Sequence, residues 1–517
     1  MQKRAILVNI RTSGQAIVKR PLAMWVVGLC QITLILFVAY QDISAQQPLT
    51  WQPQQTIPDY HPMTNPPLMI ADQNRTVHAF SSQWFVDKDE WMRAIVYNYW
   101  RMNEGWSTPV DIVLSPHKTD ARVTGVYLEP QTGIVHLTFW GGDNTDANIY
   151  YTKALLAEAG RALAWSKPAI VGENAGDPEL ASITGDENGN LAIIYSGRRQ
   201  GNGLYTIYSD DGGETWSNPD PSFLTFSDNF PVILDLAPGA SGLTHVVWDV
   251  RDTGGNGRQI NFSSLDIQQR RWSRPKVLAE VNIGYGVLNP TIIESNGELF
   301  VAFSGITIMQ SSDGGESWTE PTIPFSLTGV NGVMSFVVDS SQVLHLLWSQ
   351  RITGSPDIHG AWHSVWQDGR WSTPEPIVSG PAIHDLTGDN AFDPFDVRAI
   401  ISQGNTLLVT WRSDPGLKGN GVWYSYTQLN TPELPVVVYA PPSEPAPMPT
   451  ATAVPLSDDL LASTDGSSAP VPLNVSQPSG LFFFENPAGI VVVGLVPVVF
   501  VLLLILSRAF YHSNFRR

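Results

Sequence analysis

The chain has 517 residues and only one cysteine, Cys30. A single thiol cannot form a disulfide framework within the chain or a zinc site made of cysteines, so both are excluded. Basic residues are also few: 30 Lys and Arg stand against 48 Asp and Glu, which gives a formal charge of −18 at pH 7. Proteins that bind nucleic acid need a basic surface for the phosphates, so we expect no nucleic-acid partner.

Motifs for common cofactors are missing as well. The sequence holds no phosphate-binding loop, no dinucleotide fingerprint and no serine nucleophile elbow, so no cofactor is predicted. One acidic cluster could hold Ca²⁺ through oxygen ligands, although a solvated acidic loop is the simpler explanation. Its members are Asp385, Asp389, Asp393 and Asp396. Four histidines recur early in predicted strands and mark a repeat position rather than a metal cluster: His78, His136, His245 and His345.

What the chain has in abundance is glycine, proline and tryptophan, with 43, 39 and 18 copies. Hydrophobic residues make up 43% of the chain, enough for a large core, and charged residues only 15%. Glycine and proline punctuate turns, whereas tryptophan packs well in sheets. The composition therefore predicts a turn-rich β protein.

Both ends of the sequence have the character of membrane segments. Residues 1–20 are basic without an acid and precede an apolar run from Leu22 to Tyr40, so residues 1–45 are predicted to be a secretory signal peptide or an uncleaved signal anchor. Residues 488–506 carry no charge and are long enough to span a bilayer as a helix. Arginines follow that run, so residues 507–517 are predicted to be a cytoplasmic tail.

The part between these ends is therefore expected outside the cell, held at the cell membrane by one C-terminal span. Residues 431–487 are predicted to be a stalk, since Thr431 to Gly480 contains 11 prolines and neither Lys nor Arg. Such a composition favours extended polyproline conformations and cannot form a packed core.

The middle of the chain is a repeat. A tryptophan followed two or three residues later by proline opens each copy, and six of the seven motifs have the form Trp-x-x-Pro, separated by 46 to 59 residues. The tryptophans are Trp51, Trp106, Trp165, Trp216, Trp272, Trp318 and Trp371. Three further short apolar strands lie between successive tryptophans, for example Pro231–Leu234 and His245–Trp248. Four strands in a period of about 53 residues are typical of one blade of a β-propeller.

Counting the strands predicts seven blades over residues 46–430, with six blades as the alternative because the first copy is the most degenerate. The last triplet of strands lacks its own tryptophan strand, whereas Trp51 has no triplet before it. The N-terminal strand at Trp51 is therefore expected to complete the last blade and close the ring, which removes free sheet edges.

Two copies carry a longer motif of the form S-x-D-x-G-x-[ST]-W, in segments 209–216 and 311–318. This motif resembles the Asp-box, the repeat of the sialidase-like propeller superfamily. The resemblance implies a structural role for its residues, and the residue types agree with a turn that an aspartate caps and a glycine allows. These residues are Ser209, Asp211, Gly213 and Trp216 in one copy, and Ser311, Asp313, Gly315 and Trp318 in the other.

Loops alternate between the two faces of a propeller, so the Asp-boxes and the interblade loops are expected on opposite faces. The resemblance implies that the functional site lies on the face of the interblade loops. The loops between blades carry Asn or Asp next to proline, among them Asp177 and Asp393. We consider these either as turn residues at the entry to each inner strand or as a polar rim for sugar hydroxyls.

Arginines are candidates for ligand binding. Arg198, Arg251, Arg351 and Arg412 follow strand-two aromatics, in loops on the face of the interblade loops, and Arg122 and Arg398 lie near or within predicted innermost strands. Because a guanidinium binds a carboxylate through two parallel hydrogen bonds, converging arginines would suit an acidic sugar. The alternative is a set of exposed cations that pair with nearby acids such as Asp249 and Asp252.

The resemblance alone does not assign catalytic residues. Sialidases use three arginines, a Tyr nucleophile with a Glu partner and an Asp acid/base, but their early Arg-Ile-Pro motif is absent here and their propellers have six blades. We therefore expect a propeller that recognises glycans, with an active sialidase-type glycosidase and a protein-binding scaffold of the cell envelope as alternatives. Converging arginines and carboxylates would favour the enzyme, dispersed arginines with exposed aromatics the glycan-binding module, and a flat polar face the scaffold.

Overall fold

The computed structural model describes residues 49–87, 90–114, 120–142, 147–172, 180–225, 228–282, 284, 286–325, 332–350, 359–381, 392–413 and 421–437. The chain divides into two units, Met1–Ser443 and Glu444–Arg517, and every described residue belongs to the first. The predicted signal segment, membrane helix and tail lie outside the described residues. Within the described ranges, no helix has the length and apolarity needed to cross a membrane.

Seven antiparallel sheets follow one another along the chain, so the prediction of an all-β propeller with seven blades is confirmed and the six-bladed alternative is wrong. Blade 1 contains β2 (Leu68–Ala71), β3 (Val77–Asp87), β4 (Glu90–Arg101), β5 (Gly105–Trp106) and β6 (Val110–Leu114). Blade 2 contains β7 (Asp120–Leu128), β8 (Ile134–Gly142), β9 (Asn148–Leu155) and β10 (Ala169–Gly172). Blade 3 contains β11 (Ala181–Gly185), β12 (Leu191–Gly197), β13 (Gly203–Ser209) and β14 (Asp220–Leu224). Blade 4 contains β15 (Phe230–Pro238), β16 (Thr244–Arg251), β17 (Gly257–Asp266), β18 (Arg271–Trp272) and β19 (Lys276–Glu280).

Blade 5 contains β20 (Thr291–Ser295), β21 (Glu298–Phe303) and β22 (Thr307–Ser311). Blade 6 contains β23 (Ser335–Val338), β24 (Leu344–Gln350), β25 (His359–Gln367), β26 (Arg370–Trp371) and β27 (Glu375–Gly380). In blade 5 the outer strand is reduced to one bridge between Ile308 and Thr322. In blades 1, 4 and 6 the outer strand is split into two pieces that pair with the same third strand. Two 3₁₀ turns, Leu156–Glu158 and Ala162–Ala164, lie between β9 and β10.

Blade 7 closes the ring with strands from both ends of the propeller. It contains β28 (Pro394–Ser402), β29 (Thr406–Ser413), β30 (Val422–Gln428) and, as its outer strand, β1 (Gln55–Thr56). The pairing of β1 with β30 is extended by a hydrogen bond of 2.9 Å from the Gln52 amide to the Tyr426 carbonyl. The expectation that the segment at Trp51 completes the last blade is therefore confirmed.

The segment after β30 stays on the propeller up to residue 437. The Leu434 amide donates to the Gln403 carbonyl at 2.9 Å, and Glu433 forms an ion pair with Arg75 at 2.6 Å. The Val437 amide donates to the Gln73 carbonyl. The first residues of the predicted stalk thus connect blade 7 with blade 1.

Each motif tryptophan packs against an aromatic ring of the preceding blade. Trp318 of blade 5 lies 5.0 Å from Phe262 of blade 4, and Trp51, at the outer edge of blade 7, lies 5.8 Å from His363 of blade 6. The other pairs are Trp106 with Tyr424, Trp165 with Phe80, Trp216 with Tyr151, Trp272 with Phe223, and Trp371 with Phe300. The repeat read from the sequence is therefore an interblade contact that recurs seven times.

The two Asp-boxes fold as turns with matching hydrogen bonds. The Ser209 hydroxyl donates to Asp211 at 2.7 Å, and the other Asp211 oxygen accepts from the Thr215 hydroxyl at 2.6 Å. The second box repeats this with Ser311, Asp313 and Ser317 at 2.8 and 2.5 Å. The fold and motif that carry the resemblance to sialidase-like propellers are thus present, with seven blades in place of six.

The four repeat-position histidines are buried, and each bridges a strand-three side chain and a carboxylate. His245 Nδ1 lies 2.9 Å from the Ser264 hydroxyl, and its Nε2 lies 3.4 Å from Glu294. His345 in the same way contacts His363 and Asp339. Burial lowers the pKa of His245, and burial together with the charge of His345 lowers the pKa of His363 to about 3. These side chains serve the packing between strands, as the repeat position implies.

The motif glycine of each box tests the interblade contact. Gly213 and Gly315 have φ of +84° and +90°, and an added Cβ would lie 2.0 Å from the Tyr151 hydroxyl or 2.2 Å from the Phe262 ring. We expect Gly315→Ala to lose about 1–2 kcal/mol for the left-handed backbone and a further ~1–3 kcal/mol for the clash. The measurement is urea unfolding of the full chain in detergent.

Gly314→Ala is the matched control, because Gly314 has φ of +70° but no atom within 4 Å of the added Cβ. It should show only the backbone loss. Equal destabilisation by the two variants would contradict the proposed packing role of Gly315.

The Asp-boxes also predict a dependence of stability on pH. Hydrogen bonds from Thr215, then from Ser209, lower the pKa of Asp211 from 3.8 to about 2, and the Ser317 and Ser311 bonds do the same for Asp313. A folded pKa below the unfolded one stabilises the protein above pH 4, and this stabilisation is lost as the pH falls towards 2. We expect the double variant Asp211→Asn with Asp313→Asn to lose less stability over that interval than the unchanged chain.

The readout is the urea midpoint at pH 6, 4 and 2.5. Asp210→Asn serves as the control, since Asp210 is exposed, occupies a variable position of the motif and pairs with Arg270. If the double variant follows the same pH curve as the unchanged chain, the two boxes do not contribute to acid unfolding.

Candidate functional site at the channel mouth

The inner strands of the seven blades surround a central channel. Its mouth on the face of the interblade loops is a cavity of about 880 Å³. A second cavity of about 780 Å³ follows deeper in the channel, and residues such as Thr124, Ile233 and Arg398 line both. The Asp-box turns join third and fourth strands and so lie on the opposite face. The mouth therefore lies on the face for which the sequence analysis predicts the functional site.

Inner strands of blades 2, 4 and 7 are irregular just below this mouth. Their register with the second strand shifts within residues 123–125, 231–234 and 395–398. Such β-bulges leave backbone amides unpaired within the sheet and re-aim side chains. In blade 4 the freed Ile233 amide donates to Asp249 at 2.9 Å, so a carboxylate is fixed directly under the mouth.

Asp249 in turn positions Arg251. The Asp249 side chain is fully buried, and its Oδ2 accepts from Arg251 Nη2 at 2.8 Å and from the Asn289 amide at 3.0 Å. Arg251 Nη2 also donates to the Asn289 side chain at 2.9 Å. Asn289 adopts a left-handed φ of 54°, which asparagine tolerates better than most residues. An aspartate and an interblade asparagine therefore fix the guanidinium.

Blade 7 repeats this arrangement with Arg412. Its Nε donates to Asp396 at 2.8 Å and its Nη1 to Asn65 at 2.5 Å, where Asn65 belongs to the loop entering blade 1. Asp396, like Asn289, has a left-handed φ of 54°. The Arg412 guanidinium lies 5.7 Å from the centre of the Phe395 ring. The two sets, Arg251–Asp249–Asn289 and Arg412–Asp396–Asn65, are called the Asp–Arg–Asn clamps below.

Blades 1 and 2 place two further arginines on a shared acid. Asp120 Oδ2 accepts from Arg122 Nε at 2.9 Å and from Arg93 Nη1 at 3.2 Å. Arg93 also stacks on Trp84, its cross-strand partner, with 3.9 Å between the guanidinium carbon and the ring centre. Among the described residues, Arg122 donates only from Nε, so its two terminal amino groups remain available to a ligand.

Arg398 and Asp235 lie deeper, on the inner strands β28 and β15. Arg398 lines both cavities, and Asp235 lines the inner one. Burial raises the pKa of Asp235, an effect that outweighs hydrogen bonds from the Thr291 hydroxyl and the Ile292 amide and the nearby charge of Arg398. His61, at the mouth, has its pKa lowered by burial and therefore carries no charge at neutral pH.

Four of the six predicted arginines meet in this one cavity, namely Arg122, Arg251, Arg398 and Arg412. Arg198 is exposed and does not line it. Arg351 and Asp177 lie outside the described residues. Asp393 is buried and contacts His359 Nδ1 at 3.1 Å, so it lies in the blade rather than on the rim.

Sequence reasoning missed Arg93 and Trp84. Both belong to the hairpin of blade 1, the copy whose repeat pattern is weakest, so no repeat position pointed to them. A usable signal was the absence of glycine and proline from residues 68–104, a longer run without these turn residues than any other in the sequence.

The acidic cluster considered as a Ca²⁺ site or a solvated loop lies partly outside the described residues, which contain neither Asp385 nor Asp389. Asp393 pairs with His359, and Asp396 with Arg412. Across the described ranges, no group of three or more His, Cys, Asp or Glu side chains forms a metal-binding arrangement.

Comparisons with known proteins add the fold and little else. No family model matches the chain, and no curated protein matches its sequence. Among solved structures, a Trypanosoma rangeli sialidase in complex with sialic acid is 11% identical with a TM-score of 0.42, over 73% of this chain and 59% of that one. The polysaccharide lyase Uly1 is 10% identical with a TM-score of 0.45, over 75% and 94%.

YCF48 bound to a D1 peptide is 15% identical with a TM-score of 0.41, over 75% of this chain and 98% of that one. The three proteins are thus a sialidase, a polysaccharide lyase and a protein bound to a peptide. At such identities and TM-scores the likeness concerns the propeller fold, and the ligand has to be argued from the mouth of this channel.

Proposed function

We propose that the propeller binds glycans that carry an acidic group, and that it does so at the channel mouth. The observation that carries this is the gathering of five guanidinium groups in one cavity of about 880 Å³, a size within the range of small-ligand pockets. The two terminal amino groups of Arg122, and Nη1 of Arg251, meet no acceptor among the described residues. Such groups suit a carboxylate, which accepts two parallel hydrogen bonds from one guanidinium.

The aromatic residues at the mouth support a sugar as the bearer of that acid. Trp84 and Phe395 line the cavity together with the arginines. An aromatic face packs against the apolar face of a sugar ring, while polar groups beside it take the hydroxyls. Asn65 and Asn289 supply amide side chains at the same rim.

By the criterion drawn from the sequence, the convergence of arginines with Asp396 in one cavity favours a sialidase-type enzyme. Two further observations favour binding. A glycosidase needs an acid that is free to give up or take a proton at the scissile bond, whereas Asp396, Asp120 and Asp249 are each committed to a guanidinium at 2.5–3.2 Å. Among the described residues that line the mouth there is also no tyrosine to serve as nucleophile. Hydrolysis is therefore the alternative that the experiment addresses.

The setting proposed for this binding is the outside of the cell. The signal or anchor at residues 1–45, the stalk and the C-terminal span at 488–506 would export the propeller and hold it at the membrane. Surface or environmental glycans would be the ligands in that position.

The test is calorimetric binding of the full chain in detergent to glucuronate, N-acetylneuraminate and uncharged glucose. We expect acidic sugars to bind and glucose not to. Arg398→Ala and Arg122→Ala should each weaken binding about 10-fold or more, since a hydrogen bond to a charged group contributes ~1.5–3 kcal/mol.

Arg161→Ala is the matched control, because Arg161 is exposed and, among the described residues, pairs only with Glu158 outside the mouth. It should leave binding unchanged. Mass spectrometry on sialylated and uronic-acid oligosaccharides reports cleavage in parallel. Release of free sugar would establish the hydrolase alternative, and absence of binding to any acidic sugar would overturn the proposal in favour of a protein partner.

A further inference from the structure

Three arginines at the mouth, Arg122, Arg251 and Arg412, differ in how many of their N–H groups the protein itself uses. A guanidinium carries one N–H on Nε and two on each terminal nitrogen. A carboxylate that accepts two parallel hydrogen bonds needs free N–H groups on two neighbouring nitrogens, along either the Nε–Nη2 edge or the Nη1–Nη2 edge. The N–H groups that already donate to the protein therefore decide where a ligand carboxylate can bind in this way.

The clamp of blade 4 occupies both edges of its guanidinium. Arg251 donates to Asp249 from Nε at 3.1 Å and from Nη2 at 2.8 Å, and Nη2 also donates to the Asn289 side chain at 2.9 Å. Both edges include Nη2, and among the described residues only Nη1 lacks an acceptor. Arg251 can therefore give single hydrogen bonds to a ligand but not the parallel pair that a carboxylate takes.

The clamp of blade 7 uses all three nitrogens of its guanidinium. Arg412 Nε donates to Asp396 at 2.8 Å, Nη2 pairs with the same carboxylate at 2.5 Å, and Nη1 donates to the Asn65 side chain at 2.5 Å. Each of the two clamps also contains one guanidinium and one carboxylate, so its formal charges cancel. A clamp as a whole therefore offers an anion neither a free edge nor a net charge.

Arg122 on blade 2 is held in a different way. It donates from Nε to Asp120 at 2.9 Å, and its guanidinium lies 5.2 Å from the ring centre of Trp140, its cross-strand partner. Among the described residues, Nη1 and Nη2 have no acceptor, and Arg122 lines the mouth. These two nitrogens form one complete edge, which matches a carboxylate through two parallel hydrogen bonds.

The clamps leave single donors next to acceptors. Asn289 and Asn65 use their side-chain oxygens for the arginines, so each amide presents Nδ2 as a donor with no acceptor among the described residues. Both asparagines line the mouth together with Asp396, whose oxygens accept from the Val333 amide and from Arg412 and keep further lone pairs. A sugar hydroxyl both donates and accepts, so this mixed set of groups suits hydroxyls.

The backbone of the clamps supports a role at the ligand. Ten described residues other than glycine have a positive φ, and of these only Asn289 and Asp396 line the mouth. The left-handed region is unfavourable for residues with a Cβ, and residues held there concentrate at functional sites. One such residue in each clamp is therefore consistent with side chains that are positioned for a ligand.

We infer that the acidic group of the ligand binds at Arg122 and that the two Asp–Arg–Asn clamps recognise its hydroxyls. This inference rests on the proposed function and assigns separate parts of the mouth to separate groups of the ligand. The ligand is then a sugar with one carboxylate and several hydroxyls, and a simple carboxylate uses only part of the site. Asn65 and Asn289 determine specificity through the hydroxyls.

The experiment uses probes with a single carboxylate and an increasing number of hydroxyls. They are tetrahydropyran-2-carboxylate, glucuronate and cellobiouronate, a disaccharide of one glucuronate and one glucose. Ligand-observed NMR titration of the full chain in detergent measures weak dissociation constants as well as strong ones. We expect cellobiouronate to bind about 10-fold tighter than tetrahydropyran-2-carboxylate or more, with glucuronate between them, since several hydrogen bonds of modest strength add up. Equal affinity for all probes would overturn the inference.

Variants of the clamp asparagines separate the two roles. Asn289→Gly tolerates the left-handed backbone, and Asn65→Ala removes the other amide. Each should weaken cellobiouronate about 3-fold or more and leave tetrahydropyran-2-carboxylate unchanged, whereas Arg122→Ala should weaken all probes by a similar factor. Asn296→Gly is the matched control, because Asn296 also has a left-handed φ, of 52°, but lies outside the mouth and donates to the Gln342 carbonyl. It should change no affinity.

An equal loss for all probes in the asparagine variants would show that the clamps bind the acid, and would overturn the inference. So would an unchanged affinity of tetrahydropyran-2-carboxylate in Arg122→Ala. An unfolding temperature for each variant identifies any that fails to fold, and the asparagine of the other clamp then carries the test. Failure of every probe to bind the unchanged chain would instead remove the proposed function itself, so the two failures are distinguishable.

Discussion

The contact on which the whole propeller depends is the one between a tryptophan and an aromatic ring of the preceding blade. It occurs seven times, and such pairs contribute ~0.5–1.5 kcal/mol each beyond the area they bury. Six blades supply their own tryptophan, and blade 7 receives Trp51 from the N-terminal segment, where it packs on His363. Because the last contact of the ring uses residues far apart in sequence, closure requires the complete repeat. Residues 431–437 add hydrogen bonds from blade 7 to blade 1.

The two faces of the closed ring carry different kinds of residues. Turns between first and second and between third and fourth strands lie on one face, where the Asp-boxes and the buried histidine–carboxylate pairs hold blades and strands together. The other face receives the bulged starts of inner strands and the interblade loops. There Asp249 and Asp396 accept backbone amides and guanidinium groups at once. The same hydrogen bonds that finish the inner strands therefore position Arg251 and Arg412, so the site is as rigid as the sheet beneath it.

The sequence was informative wherever a residue recurs at a repeat position. The tryptophan motifs predicted blade number and closure, and the Asp-box segments predicted their own turns. Arg251 and Arg412 were located because they follow strand-two aromatics, Trp248 and Trp411. Arg198 follows Tyr195 in the same way but is exposed, since the direction of a side chain after a strand end depends on local twist that the pattern does not encode. Arg93 and Trp84 were not predicted as site residues because the blade 1 hairpin departs from the repeat.

Charge sets the kind of ligand that such a mouth selects. Residues 46–487 carry 22 basic and 47 acidic residues, so this part of the chain is strongly negative while five arginines are concentrated at one opening. At physiological salt, interactions between exposed charges fade over about 8 Å, so an approaching anion meets general repulsion only weakly. Inside the mouth, short hydrogen bonds from clamped guanidinium groups act at a few ångströms and are screened much less. We therefore expect an anion at this mouth to be held through geometric fit rather than through long-range attraction.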